Sequence, residues 1–210
     1  MNAETFNRLH SLRMENDAAG FAMQEMRPRF DRMAGRHENG TAPRAVSVYQ
    51  LFQTPVAVAA QLAALLDLKP GARVLEPSAG LGRLLDAVLP FSPGEVVAVE
   101  QAPECAAELY RQNRDGVTIK QRDFLSLTPD DLGQFDAVIM NPPFHLRADI
   151  RHIQHALRFV RPGGRLAAVC MDERRRREAF AGAAMWVSLP AGSFKESGTG
   201  IGAALVLLNA

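Results

Sequence analysis

The chain predicts an open α/β sheet, mostly parallel, with helices on both faces. Three observations carry that prediction. Short runs of strand composition alternate with runs of helical periodicity through five successive units. One of these runs, Phe135 to Met140, is an apolar strand that stops abruptly at Asn-Pro-Pro-Phe, as a buried strand of such a sheet would. The last two strands, Trp186-Val187-Ser188-Leu189-Pro190 and Ile201 to Leu208, have no helix between them, so a hairpin adds an antiparallel edge.

Composition narrows the classes. With 210 residues, 47% of them hydrophobic, the chain can bury a sizeable core as one domain with length left for an appendage. No apolar run is long enough to span a bilayer, and the polar, mixed-charge N-terminus lacks the layout of a signal peptide. A cytoplasmic protein with no membrane partner is expected. The two cysteines, Cys105 and Cys170, fall in a helix and a strand and read as buried thiols. A net charge of +1 is no signature of nucleic-acid binding by itself. The distribution says more: Arg27, Arg29, Arg32, Arg36 and Arg44 crowd the N-terminal fifth, and Arg174 to Arg177 are unbroken. Such a run is ordinarily a solvated helix face and otherwise a phosphate contact. His152 and His155 stand one helical turn apart, but no Cys or carboxylate completes a ligand set, so no metal is expected.

Residues 1–43 form an N-terminal appendage of one or two polar helices, with Leu9, Leu12, Phe21, Met23, Met26 and Phe30 at loose helical intervals and Pro28 dividing them. Asn39 to Pro43 breaks the chain, and residues 44–210 form the main domain. Thr54 is a good N-cap and Pro55 suits the first helical position, so a helix runs from there to about Leu68, where Lys69-Pro70-Gly71 stops it. Ala72 to Pro77 is the first strand. Ser78-Ala79-Gly80-Leu81-Gly82 turns into a helix from Arg83 to Leu89. A strand, a glycine turn and a helix start make the first unit of a nucleotide-binding sheet. The dinucleotide fingerprint is incomplete, and no Lys-Ser/Thr follows the glycines, which excludes a P-loop. Instead Glu76 ends the strand; an acid there repels a pyrophosphate but can hold an ammonium group or hydroxyls.

Glu95 to Glu100 is the second strand, and its terminal carboxylate can accept from both ribose hydroxyls. A helix from Pro103 to Arg114 leads to the third strand, Val117 to Gln121, then Asp123-Phe124, an acceptor and a ring. Phe135 to Met140 is the fourth strand and stops at Asn141-Pro142-Pro143-Phe144, because prolines cannot donate to a ladder. The corner is stiff and carries an amide, backbone carbonyls and an aromatic ring, which suits a planar guest bearing an amino group. A helix from Asp149 to Val160, closed by Arg161-Pro162-Gly163-Gly164, precedes the fifth strand, Arg165 to Met171. A helix from about Asp172 to Ala181 follows. The polar loop Ala191 to Gly200, inside the last hairpin, has a length that usually marks a functional or a mobile loop.

In that order, Gln53-Thr54-Pro55, Glu76 to Gly82, Glu100, Asp123-Phe124 and Asn141 to Phe144 resemble the S-adenosylmethionine-dependent amino-methyltransferases. They are most similar to the adenine-specific DNA methyltransferases of the small phage and prophage type, over roughly residues 44–210. The segment from Leu189 to Thr199 resembles the last-hairpin loop of those enzymes. The resemblance implies a Rossmann-like class I fold with a seven-stranded sheet, and S-adenosylmethionine as cofactor. It implies that Thr54 and the turn with Glu76, Ser78, Gly80 and Gly82 hold the methionine end, Glu100 the ribose, and Asp123 and Phe124 the adenine. Asn141 and the Pro142 carbonyl would accept from the target amino group, Pro143 would stiffen the corner, and Phe144 would stack on the base. Transfer to the adenine amino group of DNA follows, with the base flipped from its stack. The restriction-type enzymes carry a large target-recognition domain with no counterpart here, so low sequence specificity, or recognition of a very short site, is expected. Phosphate contacts would come from the N-terminal arginines, Arg147, Arg151, Lys195, Ser197 and Thr199. The protein is expected to be a monomer or weak dimer. Asn141 to His145 is also similar to the guanine amino-methylating ribosomal RNA enzymes, and Asn before the prolines occurs in glutamine-methylating enzymes. RNA and protein therefore stay open as acceptors.

Overall fold

The computed structural model describes residues 53–195 and 202–210. The N-terminal appendage with its arginines, and Ser197 and Thr199, lie outside these residues.

Seven strands form one sheet: β1 (Arg73–Glu76), β2 (Glu95–Glu100), β3 (Val117–Gln121), β4 (Phe135–Met140), β5 (Val160–Met171), β6 (Met185–Ser188) and β7 (Ala203–Asn209). Their order is β3-β2-β1-β4-β5-β7-β6. β1 to β5 run parallel, and β7 pairs antiparallel with both β5 and β6. The last hairpin is therefore inserted with β7 inward, and β6 forms the edge. β7 is apolar and buried from Ala203 to Leu208, whereas β6 is largely exposed; the more apolar strand takes the inner place.

Side-chain alternation divides the core in two. Val74, Val96, Ala98, Ala137, Ile139, Ala167 and Leu205 face one layer, packed by Leu62 of α1 (Val56–Leu65), Leu84 and Leu85 of α2 (Arg83–Val88) and Leu109 of α3 (Pro103–Gln112). Leu75, Val97, Val138, Met140, Leu166, Cys170 and Val206 face the other. Leu132 of the short α4 (Pro129–Leu132) and Ile153 and Ala156 of α5 (Ala148–Leu157) cover that second face. Both thiols are fully buried, Cys105 on α3 and Cys170 on β5, and burial pushes them up to about 11 and about 12.

Three expectations change in the structure. Arg161 to Gly164 does not close α5 but belongs to β5, where the register against β4 shifts between Phe135 and Ala137. Gly164 makes this possible: a Cβ there would lie 2.8 Å from the Asp136 carbonyl oxygen and 2.7 Å from Val160. Second, α1 is capped by Pro55 without a side-chain hydrogen bond and ends at Leu65, so Thr54 is not its N-cap. Third, the arginine run, on α6 (Arg174–Ala179), is not one uniform solvated face: Arg174, Arg175 and Arg177 are exposed, whereas Arg176 is turned inward. Arg176 is buried in a two-pronged pair with the fully buried Asp149 (Nε–Oδ2 3.1 Å, Nη2–Oδ1 3.2 Å), Arg174 pairs with Glu178, and Arg177 bonds Asp172 and lies over Trp186. No described helix is long and apolar enough to cross a membrane.

Candidate active site

The chain runs from β1 outward through β2 to β3, then crosses back to place β4 on the other side of β1. Ligands in open α/β sheets bind at the carboxyl ends of the strands where such a reversal opens a crevice. A cavity of about 190 Å³ lies there, lined by residues following β1, β2, β3 and β4, by Thr54 and by His152 of α5. Glu76, Ser78, Gly80, Glu100, Asp123, Phe124 and Asn141 to Phe144, expected at the site from sequence, all line it. Gly82 shapes the turn from just outside. Arg147 and Lys195 are exposed and do not line the cavity.

The turn after β1 is built around two glycines with positive φ, +54° at Gly80 and +85° at Gly82, a region that L side chains rarely enter. The Gly80 and Ala102 backbone N–H groups each donate to one oxygen of Glu100 at 2.7 Å. Glu100 thus ties the β1 turn to the end of β2, and its remaining lone pairs are what a ribose could use. Arg114 holds the turn from the β3 side. It forms an ion pair with Asp86 at 2.8 Å, and its guanidinium occupies the space where a Cβ on Gly82 would fall.

Glu76 is 1% exposed, and its Oε2 has no hydrogen-bond partner among the described residues. Burial holds its carboxyl well above the ordinary value; nearby Glu100 and Asp86 push the same way, against the opposing charge of Arg114. A buried acceptor of this kind calls for a cation or a donor from a ligand. Asp123 accepts from the Leu125 N–H at 3.0 Å, which fixes its carboxylate at the cavity's β3 end. Phe124 is 2% exposed, with its ring edge-on to His155 at 4.9 Å and tilted on Phe159 at 5.2 Å. It forms a rigid wall of the cavity and not a mobile lid.

Thr54 takes a part that sequence reasoning did not give it. It is 4% exposed, and its Oγ1 accepts from Asn141 Nδ2 at 2.9 Å across 87 residues of sequence. With the amide nitrogen committed, Oδ1 is the atom of Asn141 that can receive a donor from a ligand. Nothing local to Gln53-Thr54-Pro55 foretells this pairing; capping is the natural local reading. His152 was also missed as a lining residue. Its signal was present in the helical spacing of Ile153 and Ala156, which turns that side of α5 inward. Beyond the corner, Leu146 and Arg147 have φ of +48° and +60°, costly for non-glycine residues. Among the described residues no three His, Cys, Asp or Glu side chains converge as a metal site.

The arrangement fits S-adenosylmethionine. The acidic residues Glu100 and Asp123 line a crevice that would repel a pyrophosphate, and the buried Glu76 acceptor suits an ammonium group. The comparisons agree. The family described as Methyltransferase small domain matches residues 57–187. No curated protein matches the chain. Among solved structures, a candidate RNA methyltransferase from Pyrococcus horikoshii superposes with a TM-score of 0.62 at 18% identity, covering 79% of this chain and 91% of that one. TrmN from Thermus thermophilus gives 0.59 at 20% identity, covering 83% and 52%. The modification subunit of a candidate type I restriction enzyme from Vibrio vulnificus YJ016 gives 0.62 at 18%, covering 89% and 49%. The chain thus spans about half the length of the last two. At these identities the likeness establishes the fold.

Proposed function

The chain belongs to the methyltransferase small domain family, and from that premise we propose that it transfers the methyl group of S-adenosylmethionine to the exocyclic amino group of adenine in DNA, with little sequence preference. The observation that carries this reading is the Asn141-Pro142-Pro143-Phe144 corner, which shares one cavity with Glu76, Glu100 and Asp123. DNA adenine is favoured over the other acceptors by the combined motif order and the hairpin segment Leu189 to Thr199, both similar to the small phage-type enzymes. The restriction modification subunit and the RNA enzymes share the fold alike, so the superpositions do not choose between acceptors.

The cofactor supplies an electrophilic methyl group on a sulfonium. The protein does the rest. An adenine amino group is a poor nucleophile because its lone pair is delocalised into the ring. Asn141 Oδ1 and the Pro142 carbonyl would accept its two hydrogens and favour the tetrahedral nitrogen that attacks, an advantage that grows toward the transition state. Two prolines hold those acceptors in place, and Thr54 holds the Asn141 amide the right way round. Phe144, half-buried at the cavity, offers the ring on which a flipped base would rest. Positioning supplies most of the rate, and no shifted side-chain base is required.

Incubating the purified protein with genomic DNA and labelled cofactor, then digesting to nucleosides, tests the reading. Label in N6-methyladenine supports it. Label that moves only to RNA or to protein glutamine refutes it. Asn141→Ala should lose at least about 100-fold in turnover, on the scale of losing one preorganised transition-state hydrogen bond such as an oxyanion-hole donor, while its affinity for S-adenosylhomocysteine stays within about threefold.

A further inference from the structure

His152 belongs to none of the motifs, yet it lines the cavity together with Arg122, Asp123 and Phe124. It stands on α5, and so comes to the cavity from a different element than Asp123 and Phe124. Its Nδ1 is buried and has no hydrogen-bond partner among the described residues. The contrast with its neighbour is instructive. His155, one turn on, has its Nε2 on the Leu127 carbonyl at 2.9 Å and its ring packed edge-on to Phe124. His155 is a satisfied structural histidine; His152 is not.

Buried polar atoms in native proteins nearly always have partners, and an orphaned one on a residue that lines a cavity points to a ligand. The ring centroid of His152 lies 6.2 Å from that of Phe124, tilted by 39°. Burial holds the imidazole below its ordinary value, outweighing the pull of Asp123, so it is neutral near pH 7. A neutral imidazole carries one donor and one acceptor nitrogen; with the proton on Nε2, Nδ1 accepts. Asp123, its carboxylate steadied by Leu125, is a second acceptor at the same end. Two acceptors beside an aromatic wall match a flat ring bearing a group with two hydrogens.

We propose that His152 Nδ1 and the Asp123 carboxylate together receive the two hydrogens of the exocyclic amino group of the cofactor's adenine. His152 is then an adenine-reading residue that distinguishes adenosyl from inosyl compounds. The inference depends on the cofactor, not on the identity of the methyl acceptor, so it survives if DNA is not the substrate.

Calorimetric titration tests it on the intact protein, with S-adenosylhomocysteine and with S-inosylhomocysteine, which has a carbonyl oxygen in place of the amino group. His152→Ala should weaken S-adenosylhomocysteine binding by about tenfold, the scale of one buried hydrogen bond. His152→Asn, which keeps an acceptor near the Nδ1 position, should recover most of that loss. The wild type should prefer the adenosyl compound by roughly tenfold or more, and His152→Ala should prefer it less. If His152→Ala has no cooperative melting transition, His152→Phe fills the same space without an acceptor and should show the same reduced preference. Affinity within twofold of wild type in either variant overturns the assignment, as does an unaltered adenosyl preference. Unchanged cofactor affinity with a raised KM for the methyl acceptor would put His152 on the acceptor and also overturn it.

Discussion

Thr54→Val separates two accounts of the same residue. The family resemblance assigns Thr54 to the methionine end of the cofactor, whereas in the structure its hydroxyl oxygen accepts from Asn141 Nδ2 at 2.9 Å. Valine keeps the shape and removes the acceptor. Thr54 is 4% exposed, so water does not readily replace the lost partner, and the amide donor loses about 1–3 kcal/mol. An Asn side chain released in this way can turn over and present its NH2 group, a donor, where an acceptor is needed. If most of that energy orients the amide, turnover falls by about 5- to 100-fold at 1.4 kcal/mol per decade. Affinity for S-adenosylhomocysteine should stay within about twofold, and Thr54→Ser, which restores the hydroxyl, should recover most of the rate. Turnover comes from single-turnover transfer of labelled methyl, affinity from calorimetry. A loss of cofactor affinity with an unchanged transfer rate would refute the orienting role and return Thr54 to the methionine end.

Two further outcomes follow from buried charges. Glu76 has a folded-state pKa raised above its unfolded value, so between the two the folded protein keeps a proton that the unfolded chain has lost, and the group's contribution to stability declines as pH rises through that window. An ammonium group brought beside it favours the carboxylate, so cofactor binding should release a proton and tighten as pH rises toward the raised folded-state pKa of Glu76. Titrations in buffers of different ionisation enthalpy would count that proton. Glu76→Gln should abolish the release, and a pH-independent wild-type affinity would contradict the assignment. The Asp149–Arg176 pair lies between side chains that are 0% and 6% exposed. Asp149→Asn should cost up to about 3–5 kcal/mol by leaving the buried guanidinium only the half-exposed Glu173 as counter-charge, and the double change Asp149→Leu with Arg176→Met should recover much of it. Urea unfolding measures both, and a single-variant loss under about 1 kcal/mol would show that the charge is not needed there.

The strands and the corner were legible because each is written in consecutive residues. Phe135 to Met140 is apolar on both faces and ends at two prolines, and the structure places a buried strand there. Glu76, Glu100 and Asp123 could be read as site residues because strand ends in a parallel sheet share one edge. What failed to show was long-range or depended on partners. Arg161 to Gly164 carries every local sign of a helix stop, yet the backbone there pairs into β5, because Gly164 lets it approach the Asp136 carbonyl. Arg176 looks like its three arginine neighbours, and only the fold brings Asp149, 27 positions away, to bury it. The capping reading of Thr54 failed for the same reason, since its partner lies 87 residues on.

Charge explains why this sheet takes a cationic cofactor and not a dinucleotide. Dinucleotide folds leave the glycine turn and helix start free to face a pyrophosphate. Here the Gly80 N–H is already given to Glu100, and α2 begins behind a turn whose preceding strand ends in a buried acid. A phosphate at that point would meet Glu76 and Glu100 together. A sulfonium with an ammonium arm would instead supply the charge that Glu76 lacks. The carboxyl group that burial leaves without a partner in the protein is therefore the one that selects the guest. Removing its charge should weaken binding of the whole cofactor more than binding of adenosine, which has no ammonium to offer.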